Sequence, residues 1–255
     1  MIRQAAAARA AVCGRICHDA FAAIANFHRI SVGRVRDGRG LGTDRTSRIF
    51  GVVAEAGGRI LGSNFLDERS TIRGLRPITV DPDAQDRRVG TALMRAVLDR
   101  SVQSAAGVRL MQSAYHNRSM SLYAKLGLDA RESFATMQGE PLGPQPPGYT
   151  VRLATQADTA ACDALCMRLH GHDRDGEVPD GVVYGTARVV ERLGKIMGYT
   201  TGMAFIAHSI AETNDDLAAL IGAAEGFYGP GISCLCATAR CCDCASRTDC
   251  ESCTR

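Results

Sequence analysis

The stretch ITVDPDAQDRRVGTALMRAVL (78–98) holds the residues best spaced for chemistry. Pro82 stops a strand, and Gly90, Thr91 and Ala92 stand where a helix begins. Such a turn presents backbone N–H groups at the positive end of a helix dipole, which suits a pyrophosphate. Arg87 and Arg88 add positive charge beside it. Taken alone this is a phosphate-binding candidate, because many turns into helices contain one glycine. Further on, AYHNRSMSLYAKLGL (114–128) predicts a helix with Asn117 as its N-cap, Tyr123 inside it and Gly127 just past its end. By spacing alone, Tyr123 is a core aromatic on an amphipathic helix.

Weaker candidates lie elsewhere. Cys13/Cys17 and Cys162/Cys166 sit at i, i+4 on helical segments, where the plain reading is small apolar core residues. His170, His172 and Asp173 could ligate a metal, but two histidines two apart need a distant partner. GRGLG (38–42) imitates a dinucleotide motif without the apolar strand and helix that such a motif requires. Seven of the 11 cysteines crowd into 234–253, where CxC, CC and CxxC spacings look like a thiolate cluster rather than a disulfide framework.

The elements that must position these groups form a mixed α/β pattern. The chain has 255 residues, 45% hydrophobic and 22% charged, which excludes a disordered, collagen-like or coiled-coil protein. A net charge of +3 implies neither a nucleic-acid nor a membrane partner. No apolar run reaches the ~18 residues of a spanning helix, and no signal-peptide pattern opens the chain, so the expected compartment is the cytosol. Residues 2–17 align without gaps on 151–166, each a short strand leading into a helix. A second echo joins 51–66 to 187–202, both hairpins, with Gly57–Gly58 and Leu193–Gly194 at the turns. Two copies of one unit follow, joined by the Pro-rich linker 141–148. In the first copy the pattern continues as strand 76–80, helix 87–101, strand 108–114, helix 117–126 and a strand near 130–137.

With both motifs in view, residues 2–139 resemble the GCN5-related N-acetyltransferases (GNAT). Val80, Pro82, Gln85, Gly90, Ala92 and Leu93 fall at the spacing of that family's motif A, and 114–128 resembles its motif B. The chain departs from the pattern at Arg88, where the family usually has a second glycine. The resemblance implies a GNAT-like acyltransferase fold and acetyl-CoA as co-substrate, with no metal. It assigns cofactor contacts to Ile78, Val80, Gln85, Arg87, Arg88, Val89, Gly90, Thr91, Ala92 and Asn117. It implies a small-molecule or protein amine as acceptor, polarisation of the thioester by an N–H near Val80, and Tyr123 as the acid that protonates the leaving thiolate. His116, Asp81 and Glu68 are the nearby candidates for a base.

The expected domains are 1–140, acetyltransferase-like, and 149–231, a degenerate copy without the motif A turn. Residues 28–49 and the tail 232–255 fit neither. Read one nucleotide out of frame, they permit a capped helix (PSVESATDVAWALTAHPGFF) and a helix-plus-strand (FLSVRNGEVLRLRIENGLRVVHP). Read as they stand, they are a basic flexible arm and a Cys-rich metal tail; the out-of-frame reading is preferred, and under it 232–255 is a disordered tail whose removal leaves the melting temperature within about 2 °C, with or without zinc. Besides the acetyltransferase, a CoA-binding remnant and a thiol-rich metal binder remain open.

Overall fold

The computed structural model describes residues 1–28, 48–137, 139, 147–228 and 231–235. It divides into two compact units, Met1–Ala130 and Arg131–Arg255. The bulk of the irregular arm and of the Pro-rich linker, and the tail beyond Leu235, lie outside the described residues. His28 and Ile49, the ends of the arm, belong to regular elements.

The first unit is built on strands β1 (Ile2–Gln4), β2 (Ile49–Ala56), β3 (Arg59–Asp67), β4 (Ile72–Leu75), β5 (Thr79–Val80) and β6 (Gly107–Arg109). Their order is β1-β2-β3-β4-β6, with β5 also paired to β3. All pairs are antiparallel except β4 with β6. Helix α1 (Ala10–His28) packs on one face and α2 (Val89–Val102) on the other. That is why β2 is apolar from Ile49 to Ala54 without alternation: successive residues go to opposite helices, and both faces are buried. Val53 meets Cys13 and Ile16 of α1, whereas Val52 and Ala54 meet Leu93 and Val97 of α2. Cys13 is therefore a core residue, as its spacing suggested. The Gly57–Gly58 turn takes left-handed φ angles of 55° and 77°, the geometry of a tight hairpin.

Two expected strands came out differently. Of the run 76–80 only Thr79 and Val80 form a strand, β5; Arg76 to Ile78 stay outside any strand, where Pro77 has no N–H to give to a ladder. The strand expected over 108–114 ends at Arg109. Gly62 admits β5 at close range: a Cβ there would lie 2.4 Å from the Thr79 carbonyl oxygen.

Asp67 closes the end of β3. It is 6% exposed and accepts hydrogen bonds from Arg69 (2.8 and 2.6 Å) and Arg76 (2.5 Å). Burial alone would raise its pKa, but the two guanidinium groups outweigh it and hold the carboxyl well below the usual range. A lowered folded-state pKa contributes stability that is complete above the unfolded value near ~3.9 and fades as pH falls through the folded one. Wild type should therefore exceed Asp67→Asn in urea stability at pH 7, with the gap narrowing steadily below about pH 4. A gap that stays constant down to pH 2.5 would show that the charge is not what matters.

The second unit repeats the layered plan. Strands β8 (Thr150–Leu153), β9 (Arg188–Arg192), β10 (Lys195–Thr200) and β11 (Ser209–Ala211) make an antiparallel sheet in the order β11-β10-β9-β8. Helices α4 (Thr159–His170) and α5 (Glu177–Val183) cover one face, burying Cys162, Cys166 and Val178 with Val189 and Tyr199. The other face carries α6 (Asn214–Gly222), with Leu220 against Val190. Leu193 and Gly194 turn the hairpin at φ 53° and 73°, matching the first unit's turn.

The strand expected near 130–137 is β7 (Phe134–Met137), and it belongs to the second unit rather than the first. It pairs antiparallel with β12 (Ile232–Leu235), Ile232 facing Met137. This corrects the reading of 232–255 as wholly unstructured. Ile232 is 9% exposed and packs into the core beside Leu220 and Met203. Removing the tail from residue 232 onward therefore takes away a strand and a core side chain, so its expected neutrality does not hold.

Candidate functional site

The site is built where one strand leaves its neighbour. β4 and β6 pair over Ile72↔Gly107 to Gly74↔Arg109. Beyond Leu75, among the described residues, the chain is paired to β3 alone, through Ser63↔Thr79 and Gly62↔Val80. Asp81 donates its N–H back to Leu61 O at 2.8 Å. Backbone groups alternate along a strand, so the N–H and C=O of Ile78 and Val80 point to the opposite, unpaired edge. Such an edge can hydrogen-bond an extended ligand, and this is where the sequence placed the thioester arm.

The turn after it prepares a second contact. A short 3-10 turn, Pro82–Ala84, is capped by Asp81, whose carboxylate accepts from Asp83 N at 3.0 Å. Asp86 and Arg88 then adopt left-handed φ of 64° and 61°. This backbone gathers successive N–H groups on one side. α2 starts at Val89, two residues later than expected, because Arg88 is its N-cap in a non-helical conformation and supplies no side-chain bond. Val89, Gly90 and Thr91 thus carry the N–H groups that no helical turn satisfies, with no acidic residue in that first turn. A Cβ on Gly90 would meet only Leu122 at 3.5 Å and Val80 at 3.7 Å, which is ordinary contact. The fold does not require glycine there, but close approach of a ligand would. The left-handed Arg88 costs roughly 1–2 kcal/mol that a glycine would avoid. This explains physically why a glycine suits that position.

Arg118, which the sequence did not single out, ties the turn to the next helix. It donates to Gln85 Oε1 at 2.7 Å and pairs with Asp86. Arg87 and Arg88 are exposed, so Arg87, Arg88 and Arg118 all bring positive charge to the loop. Helix α3 (Asn117–Lys125) has His116, not Asn117, at its N-cap; Asn117 is the first helical residue and is exposed. Gly127 ends it at φ 84°, as expected.

Tyr123 is half-buried, and α3 has no fully buried residue, so Tyr123 is not a core aromatic. Burial raises its pKa, and the neighbouring Ser119 hydroxyl partly opposes the shift. A phenol kept protonated at neutral pH is fit to give up a proton. The alternative bases fare differently. Asp81 is bonded by Arg59 at 2.5 Å, which lowers its pKa and its basicity. Glu68 is held by Arg100 at 2.9 Å, and Arg100 also stacks over Phe50 at 4.8 Å. His116 lies 2.6 Å from Ser119 Oγ through its Nδ1.

The decoys can also be placed. GRGLG falls outside the described residues. His170 has a distant partner after all, His208, with their Nε2 atoms 3.2 Å apart. No group of three or more potential ligands assembles among the described residues, and no described helix is long and apolar enough to cross a membrane.

Residues 46–127 match the family model described as Acetyltransferase (GNAT) domain. That match spans β2 to α3 and so contains the parted strand, the turn and Tyr123. Among solved structures, a Pyrococcus horikoshii protein described as an acetyltransferase superposes with TM-score 0.63 at 14% identity, over 87% of this chain and 74% of that one. The ribosomal-protein-S18-alanine N-acetyltransferase of Escherichia coli gives TM-score 0.41 at 16% identity, over 62% and 85%. An aminoglycoside acetyltransferase from an uncultured soil sample, in complex with sisomicin, gives 0.40 at 15%, over 52% and 90%. No curated protein matches the chain. The fold is a mixed α+β, GNAT-like acyltransferase fold.

Proposed function

We propose that the chain is an acetyl-CoA-dependent N-acetyltransferase of the cytosol, with its site in the first unit. The observation that carries this reading is the unpaired β5 edge lying next to an uncapped α2 N-terminus. Ile78 and Val80 would hold the thioester arm by backbone hydrogen bonds. Gln85 to Ala92 would take the pyrophosphate on the turn's N–H groups, helped by Arg87 and Arg88. A neutral amine attacks the carbonyl carbon directly, and a Val80 N–H steadies the oxyanion that forms. As the carbon–sulfur bond breaks, the thiolate takes the Tyr123 proton, and the new amide nitrogen loses one to a base or to solvent.

The second unit is read as a degenerate copy. Its order of strand, helix and hairpin, with paired left-handed residues at both hairpin turns, supports this. Among its described residues it has no counterpart of the 85–92 turn, and no catalysis is assigned to it. Arg88, strained where a glycine would be relaxed, favours a second reading: a remnant that binds CoA without turnover. Incubating the full chain with isotope-labelled acetyl-CoA and a panel of primary amines separates the two. Labelled N-acetyl product supports the enzyme, CoA binding without product supports the remnant, and the absence of both removes the proposal.

A further inference from the structure

His170 is the last residue of α4, and Gly171 turns the chain out of the helix at φ 72°. His208 stands just before β11, which pairs with β10 through Thr200↔Ser209. Helix α4 packs on the same sheet, with Leu165 and Cys166 in one core with Tyr199. That packing brings the two histidines together, Nε2 to Nε2, at 3.2 Å. His208 is 8% exposed, and its ring stands edge-on to Tyr199 at 5.5 Å. Its backbone is tied at both groups: its N–H donates to Thr201 Oγ1 at 3.0 Å, and its carbonyl accepts from Thr201 N at 2.8 Å. His170 is exposed, and the His172 ring stacks on it at 5.5 Å and 9°.

We propose that His170 and His208 form a binding site for a divalent transition-metal ion of the zinc class, in the second unit. The site stands whether or not the chain transfers acetyl groups. Zinc binds imidazole nitrogen at ~2.0–2.1 Å, so two imidazoles at the tetrahedral angle stand about 3.3 Å apart at nitrogen and roughly 5 Å apart at their ring centres. The structure has 3.2 Å between the nitrogens and 5.3 Å between the centres. The spacing is thus that of two ligands on one ion, reached without moving either ring far. Imidazole suits zinc, nickel and copper, whereas magnesium and calcium want oxygen. Without metal, the pair shares one Nε2 proton in a hydrogen bond. Binding needs both Nε2 lone pairs, so with His170 as the donor its exposed ring moves that proton to Nδ1 through solvent, and both imidazoles stay neutral. Two nitrogens come from the protein, and water takes the positions left open. His208 is the fixed side of the site and His170 the side of entry. The ion would fasten the end of α4 to the start of β11, in addition to the Arg168–Glu212 ion pair.

The test uses the full chain with the six cysteines beyond Leu235 changed to serine, so that those thiols do not compete for the probe, zinc chloride. Calorimetric titration near neutral pH should show one zinc per chain. In ¹⁵N-histidine spectra the Nε2 signals of both His170 and His208 should move to metal-bound positions, with His170→Ala and His208→Gln assigning them. Losing a group that merely supports a ligand costs roughly 10–100-fold in metal affinity, so each of these variants should lose at least about tenfold. Saturating zinc should raise the melting temperature of the parent chain and leave that of both variants unchanged. Because His170 is exposed, His170→Ala keeps the test decisive even if His208→Gln does not fold. No zinc uptake by the parent chain would leave a hydrogen-bonded pair only and overturn the proposal. Equal uptake by His170→Ala would place the ion elsewhere and overturn it too, as would a signal change confined to one of the two histidines.

Discussion

Tyr123→Phe should lower kcat by about 10²–10⁴-fold while leaving the affinity for CoA within a factor of about two. The reason is that only a hydroxyl is lost. The ring keeps its half-buried place on α3, and the contacts that would hold the cofactor, at β5 and the start of α2, are untouched. A thiolate leaving without a proton donor must be expelled as an anion beside a half-buried ring, where burial disfavours charge. Stopped-flow measurement of CoA release, together with calorimetric titration of CoA, separates the two quantities. Undiminished turnover would return Tyr123 to a packing role.

Gly90→Asp should have the second-largest effect, weakening CoA binding by about 10–100-fold. Two unit charges about 4 Å apart repel by roughly 4 kcal/mol at an effective dielectric near 20, and exposure and salt reduce that. The variant is suited to the purpose because the fold has room for it: Leu122 and Val80 lie 3.5 and 3.7 Å from the new Cβ. An acidic side chain in a helix's first turn also favours the helix. The melting temperature should therefore hold or rise while CoA binding falls, and Gly90→Ala should keep most of the affinity. Equal affinity in Gly90→Asp would remove the pyrophosphate from this turn.

Much of this was legible in local residues. The apolar stripe of Leu93, Met94, Val97 and Leu98 announced α2; the first three side chains are fully buried and Leu98 is half-buried. Gly57–Gly58 and Leu193–Gly194 announced both hairpins, since few residue pairs tolerate two left-handed φ angles in succession. Motif A and motif B could be read because their chemistry depends on spacing along the chain. Other features were off by a residue or two for local reasons. The cap of α3 fell to His116 because a cap is defined by its backbone angles, and His116, at φ −94° and ψ 71°, holds the non-helical ones.

Sequence alone determined what short-range physics can decide: hydrophobic period, turn geometry and the N–H groups exposed at a helix start. Only the tertiary structure decided where distant segments meet. Phe134–Met137 looks like the closing strand of the first unit, yet it pairs with Ile232–Leu235 of the second, because a strand's partner is set by which edge is open and not by its own residues. Arg118 reaches Gln85 across 33 positions, and His208 finds His170 across 38. No periodicity records such pairs, because they sit on separate elements that meet only through the packing of the cores around Leu93 and Val53, or Val189 and Leu165.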